Sequence, residues 1–312
     1  MIVTVTVNPA LDKTMILKKV SMGEVNRVEA VRNDMGGKGI NVSKVLKSLG
    51  EPSLATGFLG GILEEVFRKE LKQLGIEDQF LSVSGDTRTN LKIVDEGQKK
   101  YTDFNEPGPE ITEKELALFH ERFKSLLFEG DLLVLSGGLC KGLPKDLYAI
   151  LMKEAKSRGV KVLLDAEGEA LTYGIQEKPF LLKPNEKELA GYLKKETLKR
   201  EELLEAGQKL LEEGIPLVLV SRGEKGSVLF SQEGIFESKG LKVSVKSTVG
   251  AGDAMVGAAA YGLRKGYGAK KLLAFAEASG AAAVAKEGTQ APSKEEIDHY
   301  YIEALEQIEE VL

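Results

Sequence analysis

The amino-acid sequence predicts an α/β fold, in which helices cover both faces of a mainly parallel central sheet and a small antiparallel sheet projects as a lid. Three features of the 312-residue chain indicate this architecture. Short apolar runs alternate with amphipathic stretches, two segments interrupt that alternation with pairs of strands, and consecutive helices follow residue 252. Buried strands separated by helices are typical of parallel sheets that are covered on both faces. We expect a single domain over residues 1–312.

Apolar periodicity places the elements in order along the chain. The predicted strands cover residues 3–7, 53–59, 131–136, 160–165, 180–183 and 217–221. The predicted helices cover residues 39–49, 64–74, 144–158, 254–263, 269–286 and 293–312. Pro144 and Gly159 mark the start and the end of the third helix, as these residue types commonly do.

The lid is predicted from two segments without helical periodicity, at about residues 13–34 and 88–105. Each resembles a pair of strands with polar turns, such as Asp95-Glu96-Gly97. A small antiparallel sheet of this kind either covers an active site or pairs with another subunit, and we expect a homodimer formed through it. The alternative is an ordinary extension of the main sheet.

Composition argues against several kinds of partner. The net charge is −5 at pH 7, which does not indicate binding to nucleic acid or to an anionic membrane. No stretch is apolar for long enough to span a bilayer, and the first residues lack the pattern of a signal peptide. Cys140 is the single cysteine, so an intramolecular disulfide is impossible and we expect a cytoplasmic protein.

Motifs disfavour several enzyme classes. Two histidines and one cysteine make a zinc site improbable, and Cys140 has no neighbouring histidine that would activate it as a nucleophile. The chain contains no Gly-x-Ser-x-Gly elbow of a serine hydrolase. It also lacks a Walker A loop, and no Gly-x-Gly-x-x-Gly follows the first strand, which argues against a nicotinamide-dependent oxidoreductase.

The strongest chemical signal is the segment at residues 247–253, Ser-Thr-Val-Gly-Ala-Gly-Asp, which enters a predicted helix. Glycines allow a sharp turn, and the unpaired amides of Gly250, Ala251 and Gly252 would form an anion site at the positive end of the helix dipole. Such a site stabilises charge on a transferring phosphoryl group. Asp253 would accept a proton from an attacking hydroxyl. The alternative role of Asp253 is that of a helix N-cap.

A second glycine-rich helix start lies at residues 34–42, Asp-Met-Gly-Gly-Lys-Gly-Ile-Asn-Val. Lys38 and Asn41 in this segment are candidates for holding a sugar and its phosphate. Glycine clusters also serve simply as turns, and this segment alone does not separate the two possibilities.

A third segment, at residues 183–188, reads Lys-Pro-Asn-Glu-Lys-Glu and follows an apolar strand. Asn185 and Glu188 are three residues apart and share one side of a first helical turn. A carboxylate there would hold Mg²⁺ through water, because Mg²⁺ retains most of its waters. A plain capping box of Asn185 and Glu188 is the better local interpretation.

Three further features are weaker. Asp12 follows the first strand, where open α/β sheets bind their ligands. Arg88 begins a lid strand. Residues 221–226, Ser-Arg-Gly-Glu-Lys-Gly, form either a nucleotide-binding loop or a plain hairpin turn.

In this order, these segments resemble the ribokinase-like (PfkB) carbohydrate kinases over essentially the whole chain. The resemblance rests on residues 8–12, 36–42, 183–188 and 248–253, of which the last is the most specific. Residues 23–27, with the first two segments, are similar to the branch that acts on phosphorylated sugars. The resemblance implies a ribokinase-like fold, ATP as phosphate donor and Mg²⁺. Residues 87–90 and 102–108 are most similar to the enzymes that phosphorylate fructose 1-phosphate to fructose 1,6-bisphosphate. Kinases of tagatose 6-phosphate or fructose 6-phosphate are the alternatives.

The resemblance also implies roles for individual residues. Asp253 would be the base, with the amides of Gly250, Ala251 and Gly252 as the anion hole. The substrate side would comprise Asp12 and Asn41 at sugar hydroxyls, Gly37 and Gly39 in the pocket wall, and Arg27, Lys38 and Arg88 at the phosphate of the substrate. The nucleotide side would comprise Lys183, Asn185, Ser221, Gly223, Gly226, Thr248, Glu277 and Ala281, with Glu188 at Mg²⁺.

One departure from the family pattern concerns residue 138. The family commonly reads Ser-Gly-Ser-Leu-Pro after the central strand, whereas this chain reads Ser-Gly-Gly-Leu-Cys at residues 136–140. The missing serine is a substrate contact by resemblance, so Gly138 bears on which sugar is accepted. A non-catalytic sensor of nucleotide or sugar phosphate on the same fold is a further alternative, although retention of Asp253 with its glycines argues against it.

Overall fold

The computed structural model describes residues 1–311, which form two β-sheets and their covering helices. The strands in chain order are β1 (Ile2–Thr6), β2 (Ala10–Leu17), β3 (Ala30–Gly36), β4 (Ser53–Gly60), β5 (Glu77–Asp78), β6 (Leu81–Val83), β7 (Arg88–Asp95), β8 (Lys100–Asn105), β9 (Leu132–Ser136), β10 (Lys161–Asp165), β11 (Leu181–Leu182), β12 (Leu217–Ser221), β13 (Ser227–Ser231), β14 (Gly234–Ser238) and β15 (Glu309–Glu310). The helices are α1 (Lys38–Ser48), α2 (Leu63–Leu74), α3 (Glu113–Ser125), α4 (Leu147–Ser157), α5 (Gly168–Gln176), α6 (Glu186–Tyr192), α7 (Arg200–Glu212), α8 (Ala251–Arg264), α9 (Ala269–Val284) and α10 (Lys294–Glu306).

The larger sheet has the strand order β15-β14-β13-β12-β11-β10-β9-β1-β4-β5, with β6 also paired to β4. All pairs from β12 to β5 are parallel, and β12 to β15 are antiparallel, so the expected mainly parallel sheet is confirmed. The chain leaves β1 towards β4 and later adds β9 on its other side. Ligands of open α/β sheets bind at such a reversal, outside the carboxyl ends of the strands.

Helices bury both faces of this sheet. In β9, Leu133 and Leu135 belong to the core beneath α3 to α7, whereas Leu132 and Val134 belong to the core beneath α1, α8, α9 and α10. Alternate residues of a strand point to opposite faces, so a strand that is apolar at every position must be covered twice. The ends of such strands are therefore the places where their polar residues meet the surface.

The smaller sheet has the order β3-β2-β7-β8 and consists of two antiparallel hairpins, β2–β3 and β7–β8. The hairpins come from separate parts of the chain and join through β2 and β7, which run parallel. The register places Asp12 opposite Asn90. One side of this sheet consequently presents polar residues from both hairpins.

The predicted end of the last helix was wrong. α10 stops at Glu306 and the chain then adds β15 to the edge of the main sheet, with Glu310 opposite Phe236. Ile308 is buried at this edge, and its burial favours an extended segment that packs on the sheet rather than a continuation of the helix. Leu312, the end of the predicted helix, lies outside the described residues.

Residues 221–226 form a hairpin turn between β12 and β13, with a single 3₁₀ turn at Gly223–Lys225. Among the described helices, none combines the length and the apolar character needed to cross a bilayer.

Candidate active site

The start of α8 lies at the carboxyl edge of the main sheet. Gly250 caps the helix with φ 85°, a left-handed conformation that disfavours any residue with a Cβ. The first amides of a helix have no partner within it, so those from Ala251 onward are available to an anion. Asp253 lies in this first turn and is only 6% exposed.

Asp253 is held by α1. The Asn41 amide donates a hydrogen bond of 2.8 Å to Asp253 Oδ2. Burial and the nearby charge of Asp165 raise the pKa of Asp253 to about 6, although Lys38, Asn41 and Lys183 oppose the rise. A carboxylate with this pKa is ionised at neutral pH and is a stronger base than an exposed aspartate.

Asp165, at the end of β10, organises two lysines around this carboxylate. It is 1% exposed, and its Oδ1 lies 3.4 Å from Nζ of both Lys38 and Lys183. Burial alone would raise the pKa of Asp165, but the two lysines hold it below its usual value. A Cβ built on Gly252 would lie 3.4 Å from Lys183 Nζ, so this ammonium stands directly beside the start of α8.

Sequence reasoning did not select Asp165. The available signal was its place after the apolar run at residues 160–164, the same position relative to a strand that selected Asp12. The structure also places Lys38 in this cluster, where its ammonium is 3.9 Å from Glu188 Oε1.

Asn185 and Glu188 form the capping box of α6. The backbone N–H of Glu188 donates to Asn185 Oδ1, and the backbone N–H of Asn185 donates to Glu188 Oε2, each at 2.8 Å. This leaves Oε1 of Glu188 towards Lys38. The described residues contain no group of three or more His, Cys, Asp or Glu side chains arranged to hold a metal. A single carboxylate such as that of Glu188 can hold Mg²⁺ only together with water or other oxygens, which is the usual mode for this ion.

The second sheet carries a separate group of buried polar residues. The Asn90 amide donates to Asp12 Oδ1 at 2.9 Å, and burial raises the pKa of Asp12. Arg88 donates to the backbone oxygens of Asn8 and Glu106. Buried Arg88 Nε, Asn8 Oδ1 and Asn90 Oδ1 have no hydrogen-bond partner within residues 1–311. Buried polar atoms are normally paired, so these three leave hydrogen-bonding capacity unused within the described part of the chain.

Two glycines let α1 start directly on the end of β1. A Cβ on Gly37 would lie 2.6 Å from Thr6 Cγ2, and one on Gly39 would lie 2.5 Å from Thr6 Oγ1. Any larger residue would push α1 away from the sheet. These glycines thereby position Asn41 against Asp253.

The other predicted residues are less closely grouped. Arg27 is exposed in the loop between β2 and β3, and Thr248 and Gly223 are also exposed. A Cβ on Gly226 would lie 2.1 Å from the Ser238 oxygen, so close backbone packing explains this glycine. On α9, Glu277 is buried and bonded to the Ser227 hydroxyl, and burial raises its pKa to about 7. Ser221 and Ala281 are half-buried, Ser221 at the end of β12 and Ala281 on α9.

The sequence was compared with models of known protein families. Residues 6–296 match the model of the pfkB family of carbohydrate kinases. The chain belongs to the pfkB family. It is accordingly a carbohydrate kinase with ATP as co-substrate.

Individual pfkB relatives agree over most of the chain. A 1-phosphofructokinase of Haemophilus influenzae is 39% identical over 286 residues, which are 91% of each chain. A 1-phosphofructokinase of Vibrio cholerae is 34% identical over 297 residues, which are 95% of this chain and 93% of the relative. The phosphofructokinase-2 of Escherichia coli, solved in complex with substrates and products, superposes with a TM-score of 0.92 at 28% identity and covers 97% and 99% of the two chains. The same E. coli protein has also been solved with potassium and as a tetrameric inhibited form. The predicted ribokinase-like fold is thus confirmed.

Proposed function

We propose that this pfkB kinase transfers the γ-phosphate of ATP to the C6 hydroxyl of fructose 1-phosphate and produces fructose 1,6-bisphosphate. The observation that carries the proposal is Asp253, a buried carboxylate in the first turn of α8, with two lysines clustered beside that turn. The name shared by the H. influenzae and V. cholerae relatives supports fructose 1-phosphate as the acceptor.

In this mechanism Asp253 removes the proton of the attacking hydroxyl, and Asn41 keeps the carboxylate oriented. The amides of Gly250, Ala251 and Gly252 stabilise the charge that develops on the transferring group. Lys183 and Lys38 add positive charge at the same place, so we assign Lys38 to the moving phosphoryl group rather than to the phosphate already on the substrate. Catalysis then consists of positioning and charge stabilisation.

The remaining residues divide between the two substrates. We assign Asp12 and Asn41 to sugar hydroxyls, and Arg88 and Arg27 to the phosphate of the sugar. The nucleotide is assigned to the edge formed by Lys183, Asn185, Ser221, Gly223, Gly226, Thr248, Glu277 and Ala281. Glu188 would hold Mg²⁺ through water, and the ion would neutralise phosphate charge. A reducing cytoplasm suits the single buried Cys140.

Initial rates with a panel of sugar phosphates test the acceptor. With ATP and Mg²⁺ present and ADP release coupled to absorbance, fructose 1-phosphate is expected to give a kcat/KM at least about 10-fold above fructose 6-phosphate and tagatose 6-phosphate, a difference of about 1.4 kcal/mol. A higher value for either 6-phosphate would reassign the substrate. Binding without ADP release from any sugar would favour the sensor alternative.

The acid limb of the pH profile tests Asp253 as the base. Because its pKa is raised to about 6, kcat/KM should be constant near pH 8 and fall about tenfold per unit below pH 6. Sugar phosphates also ionise near pH 6, so the informative comparison is Asn41→Ala. Asn41 lowers the pKa of Asp253, so its removal should shift the limb to higher pH, whereas ionisation of the substrate is the same for both enzymes. An unshifted limb would exclude Asp253 as its source.

The homodimer is proposed to form through the outer face of the second sheet. Strand alternation puts Met15, Val31, Leu91, Ile93 and Phe104 on one face, and the registers make them neighbours. Val31 is 52% and Phe104 59% exposed. The opposite face carries Asp12 and Asn90. An exposed apolar face backed by the substrate site is a surface that a second copy would cover.

Phe104→Asp is expected to convert a dimer into a monomer, because it places a charge on this apolar face, at the edge strand β8. Light scattering at micromolar concentration measures the change in mass. Tyr101→Asp is the matched control, since Tyr101 is 72% exposed on the opposite face of the same strand. A wild-type monomer, or a dimer that survives Phe104→Asp, would refute this interface.

A further inference from the structure

Glu167 is an exposed charged residue that the mechanism above does not use. It follows β10 and immediately precedes α5, but its side chain does not cap that helix. Its carboxylate makes no hydrogen bond or ion pair with any other described side chain or backbone group. A carboxylate without a partner is available to a ligand.

The carboxylate of Glu167 lies close to Gly138. A Cβ on Gly138 would lie 3.0 Å from Glu167 Oε1, closer than carbon and oxygen atoms normally approach. Gly138 does not have the positive φ that would itself require glycine, so the backbone admits a side chain. The acid therefore occupies the space that a side chain at residue 138 would enter.

Two cations of the site lie within reach of the charge of Glu167. It acts on Lys38, in the cluster beside α8, and on Arg88, at the base of the second sheet. An anion at this place attracts a hydroxyl donor and repels a phosphate, and hydrogen bonds to a charged acceptor are the stronger kind.

We infer that Glu167 is a specificity-determining residue that accepts a hydrogen bond from a hydroxyl of the bound sugar phosphate. This inference rests on the proposed function. In this chain the acid takes the place of a polar side chain at residue 138, and it orients the sugar so that its phosphate points away from β9 and towards Arg88.

Steady-state kinetics of Glu167→Ser, Gly138→Ser and the double variant test whether Glu167 takes the place of a polar side chain at residue 138. Glu167→Ser should raise the KM for the sugar phosphate about 10-fold through loss of a charge-assisted hydrogen bond, with kcat and the KM for ATP nearly unchanged. Gly138→Ser alone should also raise it, because its Cβ displaces the carboxylate. The double variant should have a lower sugar KM than either single variant, since the new hydroxyl then has room and a ligand to bond.

Glu169→Gln is the matched control, because Glu169 lies two residues away and pairs with Lys145 on the surface. Glu167→Gln keeps the size of the side chain, removes its charge and should raise the sugar KM about threefold, which guards against a folding defect of the serine variant. An unchanged sugar KM in both Glu167 variants, or simple additivity in the double variant, would overturn the inference. Wild-type enzyme inactive with every sugar phosphate would instead refute the proposed function.

Discussion

Asp253→Asn is expected to lower kcat by about 10³-fold, because asparagine cannot accept the proton of the sugar hydroxyl. The substitution preserves the shape of the side chain, and Asn41 can still donate to its oxygen. ATP affinity should change little, since the amides at the start of α8 and the two lysines remain. Single-turnover kinetics measures the chemical step, and calorimetry measures nucleotide binding.

The same variant should be more stable than the wild type at pH 8. The folded pKa of Asp253 is raised from 3.8 to about 6, so its ionisation costs folding free energy at every pH above that range. The cost is absent below pH 3.8 and complete above the folded pKa. Two pKa units correspond to roughly 2 to 3 kcal/mol, which asparagine would recover. Denaturant unfolding at pH 8 and pH 5 should show the gain shrinking on acidification.

A lower kcat together with a higher stability of Asp253→Asn would show that the variant has lost its base and has kept its fold. Asp146→Asn is a suitable control, because Asp146 precedes α4 without capping it through its side chain. That variant should retain both properties. Near-normal turnover of Asp253→Asn would remove Asp253 from the role of base.

Lys183→Met is expected to destabilise the protein by about 3 kcal/mol at pH 7, the lower end for breaking a buried ion pair. Lys183 is 3% exposed and shares Asp165 with Lys38, so methionine would leave this fully buried carboxylate with one cationic partner. It would also remove a positive charge from the start of α8 and lower kcat. Urea denaturation measures the loss of stability.

The pH dependence of this loss follows from Asp165. Its pKa is lowered in the folded state, so its ion pairs contribute stability above its unfolded pKa, and that contribution disappears as the pH falls through the folded pKa. The defect of Lys183→Met should therefore diminish in acid. Lys187→Met, an exposed change on α6, should be neutral, and the double variant Asp165→Asn/Lys183→Met should be less destabilised than the sum of its parts. Additive effects would mean that the two groups do not interact.

Patterns within short segments of the sequence were sufficient to predict much of the fold. The parallel strands are short apolar runs, and burial on both faces requires that composition wherever the strand lies. The start of α8 was equally predictable, because an anion site needs only glycines followed by a helix. The end of α10 was not, since the choice between helix and strand for residues 307–310 depends on the free edge of β14, which is distant in sequence.

The sequence by itself predicted the chemical class, because the glycines at residues 250 and 252 and Asp253 combine the proposed anion site and the proposed base within one turn. Only the tertiary structure decided which charges surround the Asp253 carboxylate. Asp165, Lys38 and Lys183 come from the ends of β10 and β11 and the start of α1, and only the sheet order brings these positions together. Coulomb interactions depend on distances of a few ångströms within a buried site, and such distances are set by packing rather than by spacing along the chain. The close approach of Glu167 to Gly138 is likewise visible only in the folded chain.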